Sequence, residues 1–227
     1  MLYAISDDQE KILAEKGRRG SCPFCQRRVV AKCGQINIHH WAHEINSDCP
    51  ASGLETEWHL NWKSRFSSKY VEHRFGKFIA DVYLPKITVI EFQNSSISVE
   101  DVLARNAFYR NPIWIVNGMD FEERFSIRNR GEYLSFRFKH RRKTISRMMP
   151  NLYIDFGTHL FRVKKEYDEM RSGWGVKISY LDFFNKFGDC YISDSFLKVL
   201  ETEKEDIQIS ESMRLACKIY FPEMAKP

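Results

Sequence analysis

Two runs of alternating apolar and polar residues, FIADVYL (78 to 84) and ITVIEFQ (87 to 93), flank Pro85-Lys86 and predict a β-hairpin. The loop length decides which side chains meet. A two-residue loop would send Asp81 and Glu91 to opposite faces. A three-residue loop (Pro85, Lys86, Ile87) pairs Leu84 with Thr88 and sets Asp81 opposite Glu91. The second register also sorts the hairpin cleanly. Phe78, Ala80, Val82, Leu84, Ile90 and Phe92 share one face, and Ile79, Asp81, Tyr83, Val89, Glu91 and Gln93 share the other. Upstream, Trp58, Trp62 and Phe66 recur every four residues as the apolar stripe of a helix, with Ser52 and Glu55 spaced as a capping box. Glu55, His59 and Lys63 repeat the same interval one step around; an exposed polar face is the plain alternative. After the hairpin, Ser95, Ser96 and Ser98 precede a helix beginning near Val99, and NPIWIVNG (111 to 118) reads as a buried strand. Farther on, YID and LFRV flank Phe156-Gly157-Thr158 as a second hairpin, VKISYLDFFNKFG runs from strand into helix, and DSFLKVLETEKED reads as an amphipathic helix. Asp155 and His159 sit at that hairpin, where a structural role beside a glycine turn is the common one.

Within that pattern the cysteines form a cluster. Cys22, Cys25, Cys33 and Cys49 lie close together, whereas Cys190 and Cys217 stand apart. SCPFC (21 to 25) has the C-x-x-C spacing that turns two thiolates toward one ion, and HHWAH (39 to 43) and Cys49 follow. Cys22, Cys25, His43 and Cys49 make the expected tetrahedral zinc set, with His40 as an alternative ligand or a support beneath the site. A redox dithiol is the competing reading, but the βαβ context it needs is missing from the pattern. The stretch between the clips reads as two short strands around Cys33-Gly34, hence a small zinc ribbon or knuckle that folds and binds rather than catalyses.

Charge adds a second landmark. The chain of 227 residues carries a formal charge of +5, yet Arg124 to Arg147 alone holds nine Lys/Arg against one acid, Glu132, a local balance of +8. Lys139, Arg141, Arg142 and Lys143 in this stretch are candidate phosphate contacts, against the alternative of a solvated surface run. The polar, acidic start of the chain does not resemble a secretory signal, and no apolar run is long enough for a membrane span; the expected location is the cytoplasm.

Two carboxylates about 5 Å apart on a mostly apolar surface are costly unless a cation joins them, and Mg²⁺ binds through one or two carboxylates plus substrate phosphate. Taken together, Cys22-Pro23-Phe24-Cys25, Gly34 to His43, Glu55-Thr56 with His59 and Lys63, Asp81 with Glu91-Phe92-Gln93-Asn94-Ser95, Arg105 with Tyr109, and Trp114-Ile115 resemble the competence protein CoiA-like family from about Ser21 to Gly118. That resemblance implies an α+β or α/β fold: a restriction-endonuclease-like, PD-(D/E)XK core of mixed sheet flanked by helices, behind an N-terminal zinc module and ahead of a C-terminal α+β extension. The corresponding domains are 1–51, 52–120 and 121–227. It further implies phosphodiester hydrolysis with Mg²⁺ or Mn²⁺ on Asp81 and Glu91. Gln93 would orient water, Glu55 would complete the site, and His59 would position a phosphate oxygen or shuttle a proton. Gln93 stands where the wider superfamily carries lysine, although the CoiA-like family itself carries glutamine. Lys63 and Arg105 are the expected phosphate clamps; for Arg105 and Tyr109 a helix turn packing on the sheet is the alternative. The expected partner is DNA, of undetermined strandedness, together with proteins of recombination or defence; a homodimer is open. The competing function is a non-catalytic nucleic-acid-binding accessory built on a nuclease scaffold.

Overall fold

The computed structural model describes residues 1–35, 39–44, 48–49, 51, 55–187 and 189–204. Its first unit is an antiparallel five-stranded sheet of β1 (Tyr3–Ile5), β2 (Lys11–Leu13), β3 (Arg19–Ser21), β4 (Arg28–Lys32) and β5 (His40–His43), in the order β2-β1-β3-β4-β5. β4 and β5 are the two short strands expected around Cys33.

The second sheet is mixed and has nine strands: β6 (Val71–Phe75), β7 (Phe78–Leu84), β8 (Thr88–Gln93), β9 (Ile113–Asn117), β10 (Phe125–Asn129), β11 (Leu134–Phe138), β12 (Leu152–Asp155), β13 (Leu160–Tyr167) and β14 (Ser172–Ile178). They lie in the order β10-β11-β14-β13-β12-β9-β8-β7-β6, so strands from both sides of residue 120 share one sheet. The β8–β9 and β9–β12 pairs are parallel. A parallel pair needs a crossover. Between β8 and β9 that crossover is α2 (Val99–Tyr109), whose Ser98 Oγ caps the helix by accepting the Asp101 N–H at 3.0 Å. The other described helices are α1 (Glu57–Ser64), α3 (Lys143–Ser146), α4 (Tyr180–Phe184) and one over 194–204.

Alternation along the central strands sends side chains to two cores. Val82, Leu84, Ile90, Phe92, Ile115 and Tyr153 meet Leu60, Trp62 and Phe66 from the α1 segment and Phe183 and Phe184 from α4. On the other face Trp114, Val116, Leu152 and Ile154 meet Val102 of α2 and the rings of Phe125, Phe136 and Phe138. The basic run therefore builds sheet: in β11, Phe136 and Phe138 are buried while Arg137 between them is exposed. Gly173 and Gly175 on β14 let those rings lie flat on the backbone, for a Cβ at either position would sit 2.7 Å from Phe136 or Phe161.

The hairpin adopts the odd loop, pairing Leu84 with Thr88 and Val82 with Ile90, with Lys86 at φ 65° in the turn. Two expectations need correction. Phe78 does not join the core face; it packs against Phe108 and Tyr109 of α2, at ring distances of 5.1 and 5.9 Å. On the neighbouring β6, Glu72 takes φ 52° between the Val71–Val82 and His73–Ala80 pairs. Helix α1 starts at Glu57, capped by Thr56, whose side chain accepts the His59 N–H; Ser52 lies outside the described residues.

Asp155, at the end of β12, ties these layers together. It is 2% exposed. Its Oδ2 accepts the indole N–H of Trp58 at 2.7 Å and of Trp62 at 2.8 Å, while Oδ1 accepts the Tyr180 hydroxyl at 2.5 Å and the Gly157 N–H at 2.9 Å. One carboxylate thus joins α1, β12 and α4 through bonds strengthened by its charge. Asp155→Ala would leave two indole donors unpaired and is expected to lower unfolding free energy by about 3 kcal/mol. Urea denaturation reads this; a loss below about 1 kcal/mol would mean the anchor is dispensable.

Candidate functional site

The turn after β3 is shaped by the C-P-x-C segment. Cys22 N–H donates to Arg27 O, Gln26 N–H to Cys22 O, and Phe24 N–H to Cys22 Sγ, with Gln26 at φ 61° closing the knuckle. β5 delivers His43 opposite Val29, and Cys49 arrives from beyond it. One ligand atom each from Cys22, Cys25, His43 and Cys49 falls within a mutual 4.8 Å. Cys22 and Cys49 sulfurs are 3.8 Å apart, and Cys25 Sγ is 3.2 Å from His43 Nε2. A tetrahedron with ordinary zinc bond lengths has sulfur–sulfur edges of about 3.8 Å and sulfur–nitrogen edges of about 3.5 Å, so the three-cysteine, one-histidine set can bind zinc. Burial pushes the Cys22 thiol up to about 12, which favours either a proton or a metal there. His40, opposite Lys32, and Cys33 fall outside the group.

This module is bolted to the large sheet. Leu2 N–H donates to Glu72 Oε1 at 2.8 Å, Arg74 Nη1 to Phe24 O at 2.9 Å, and Lys11 Nζ to the Ser68 and Val71 carbonyls. Phe24 accordingly lines a 180 Å³ cavity together with Glu55, His59, Asp81, Glu91 and Gln93. All five residues expected to carry chemistry therefore border one space, with Lys63 and Arg105 beside them.

Within it, Lys63 is central. It is 2% exposed, and its ammonium contacts Glu55, Glu72 at 3.2 Å and Asp81 at 3.2 Å. Burial alone would depress its pKa, but the three carboxylates outweigh burial and raise it. Asp81 Oδ1 also faces His59 Nε2 at 3.1 Å, while Oδ2 accepts the Phe92 N–H at 2.8 Å. Burial opposes the charge on Asp81, yet His59 and Lys63 prevail and hold it low. Glu55 behaves alike, its burial outweighed chiefly by Lys63, and falls to about 2. Glu91 goes the other way: burial first and the Asp81 charge second raise it well above the ordinary glutamate range, despite Arg105. The two acids are thus shifted apart, Asp81 downward and Glu91 upward, as neighbouring buried carboxylates are.

Arg105, from α2, places Nη1 3.0 and 3.1 Å from the two Glu91 oxygens and donates as well to Ile79 O. This one-nitrogen contact is weaker than a two-nitrogen fork. Glu55, His59 and Asp81 form a second group with donors within 4.8 Å.

Two assignments change. Lys63 is an internal counter-ion rather than an exposed phosphate clamp, because three acids surround it. The candidate contacts of the basic segment divide: Arg141 pairs with Asp168 at 2.8 Å, Lys143 with Glu169 at 3.8 Å, Arg142 lies over Phe121 and Phe138, and Lys139 is exposed. Tyr109 packs against Phe75 and Phe78, and burial raises its phenol. Glu72 was absent from the sequence expectation. A hairpin turn at Gly76-Lys77 would have exposed it, since that turn sets Glu72 opposite Asp81.

Residues 5–52 match the family described as competence protein CoiA, N-terminal domain. That match covers the cysteine and histidine ligands and ends before Glu55. No curated protein and no solved structure matches the chain. Among the described residues no helix is long and apolar enough to cross a membrane.

Freshly purified protein is expected to hold one zinc per chain by elemental analysis, and cobalt substitution to give the absorption of a tetrahedral thiolate site; Cys25→Ser and His43→Ala should each sharply reduce both. A metal-free chain with unchanged folding would refute the site. Lys63→Met should cost about 3–5 kcal/mol in urea denaturation, since it strands buried carboxylates. A variant of wild-type stability but weaker DNA affinity would restore the clamp role.

Proposed function

We propose that this chain is a divalent-metal-dependent nuclease that hydrolyses phosphodiester bonds in DNA. The observation that supports it is the placement of Asp81 and Glu91 as neighbours bordering one cleft, with Glu55, just before α1, and the helix-borne His59 at the same cavity. The likeness of residues 5–52 to a competence-protein domain agrees with a role in handling DNA during uptake, recombination or defence. A mixed sheet with a β-hairpin, crossover helix and parallel strand, and helices on both faces, is compatible with the restriction-endonuclease-like core implied by the sequence resemblance.

The donor set suits a hard cation. Asp81 and Glu91, with Glu55 beside them, would hold Mg²⁺ or Mn²⁺, which when bound supplies Lewis acidity at the phosphate and acidifies a water. The chain's own residues do the rest. Glu91 would turn toward the ion by loosening from Arg105, and the single-nitrogen contact allows that. The freed guanidinium then lies beside the acids, where a substrate phosphate can take it up. His59, at the cavity border on Asp81, can pass a proton to or from the reacting water. Gln93 donates Nε2–H to Ser95 O at 2.7 Å, which leaves its carbonyl oxygen to accept from the attacking water. Lys63 keeps Asp81 ionised and ties it to α1.

A second reading has its own observation. Lys63 and Arg105 already neutralise much of the carboxylate charge, as expected of a scaffold that binds nucleic acid without cutting it. Incubation with Mg²⁺ or Mn²⁺ and single- or double-stranded DNA separates the two. Cleavage is expected, with Asp81→Asn and Glu91→Gln each lowering it at least about 100-fold while DNA binding in EDTA persists. Absence of cleavage with every metal and DNA form, or equal activity in the variants, would leave the scaffold reading standing.

A further inference from the structure

Beyond the carboxylates, a second cavity of 510 Å³ opens where the two parallel strands β8 and β9 end. Gln93, Asn94 and Ser95 line both this space and the acid-bordered one, so the two are adjacent. Crevices outside the carboxyl ends of adjacent parallel strands are the usual ligand positions in sheets of this kind.

Its walls differ in chemistry. Ile97, Val116 and Phe121 are apolar; Asn94 and the buried Asn117, joined by an Nδ2–H to Oδ1 bond at 2.5 Å, are polar; Arg141, Arg142 and Lys143 are cationic. Arg142 lies 5.7 Å over the Phe121 ring, and its Nε is buried without a hydrogen-bond partner. An apolar wall with an aromatic ring, a few amides and a cationic side match the three parts of a nucleotide: a base face, a base edge and a phosphate. The volume of about 510 Å³ is of the size that takes a single small ligand unit such as one nucleotide.

We propose that this cavity binds one unpaired nucleotide of the DNA strand whose neighbouring phosphodiester lies at Asp81 and Glu91. The proposal rests on the nuclease reading of that pair and adds to it a substrate class: single-stranded DNA, or a strand end freed from its complement. Arg141 and Lys143 then exchange their partners Asp168 and Glu169 for the phosphate, and the base lies against Phe121. Both ion pairs are substantially exposed, so such an exchange is inexpensive.

Binding measured in EDTA tests this independently of cleavage. A fluorescent single-stranded oligonucleotide of about 8–12 residues should bind the full chain at least about tenfold more tightly than the blunt duplex of the same sequence. The double variant Arg141→Ala, Lys143→Ala, whose side chains are exposed, should weaken single-strand binding about tenfold and flatten its salt dependence. Phe121→Leu, which keeps the wall apolar, should weaken it severalfold and abolish the fluorescence change of a 2-aminopurine placed at the bound position. The inference fails if duplex and single strand bind equally, if both variants bind like wild type, or if a nucleoside monophosphate binds as tightly as the oligonucleotide, which would make the ligand a free nucleotide. A chain that binds single strands in this manner but cuts nothing would instead refute the nuclease reading and spare the cavity.

Discussion

A single buried ammonium organises this molecule. Lys63 is held by Glu55 before α1, Glu72 on β6 and Asp81 on β7, so the entry to the helix and two strands of the sheet converge on one charge. Removing Lys63 would strand these buried carboxylates, a change worth about 3–5 kcal/mol. Glu72 extends the arrangement: the same Oε1 that meets Lys63 accepts the Leu2 N–H, carrying the constraint into the N-terminal sheet. Its φ of 52° is a strained conformation costing about 1–3 kcal/mol, tolerable because the surrounding bonds over-determine it.

From that anchor the contrast between Asp81 and Glu91 follows. Both are buried and adjacent, but Lys63 and His59 contact Asp81, while Arg105 pairs with Glu91. Burial opposes the charge on both; the neighbouring cations outweigh it at Asp81 and do not at Glu91. A divalent ion would change this balance most at Glu91, where the resident cation is least well seated.

Much of this arrangement was legible in the sequence because short-range rules govern it. Alternation in FIADVYL and ITVIEFQ, with one proline-led loop, fixes which acids meet; C-x-x-C spacing and a histidine two strands away locate the zinc ligands; a serine before an acidic turn marks the start of α2. The remainder depends on long-range pairing. Lys63 reads as an exposed helix residue until β6 brings Glu72 over it, and β6 itself, VEHRF, has too many charges to declare a strand by hydrophobicity. The run from 124 to 147 misleads differently: its arginines draw attention to charge, whereas Phe125, Phe136 and Phe138 beneath them build the second core. Phe78 was assigned by a strict two-residue period, but its ring packs instead on Phe108 and Tyr109 of α2.

The position of the cysteine module bears on function through geometry. Its knuckle offers the Phe24 carbonyl to Arg74, and the Phe24 side lines the acid-bordered cavity. A turn of such short reach keeps its shape only if its ligands stay together, because the five strands above it are brief and the core they share with Cys22, Cys49 and Trp41 is small. Zinc there would act on the cleft without touching substrate: it would hold one wall in place beside acids whose charges depend on exclusion of water. The module and the carboxylates therefore border one space, and a metal held by Cys22, Cys25, His43 and Cys49 would fix its edge.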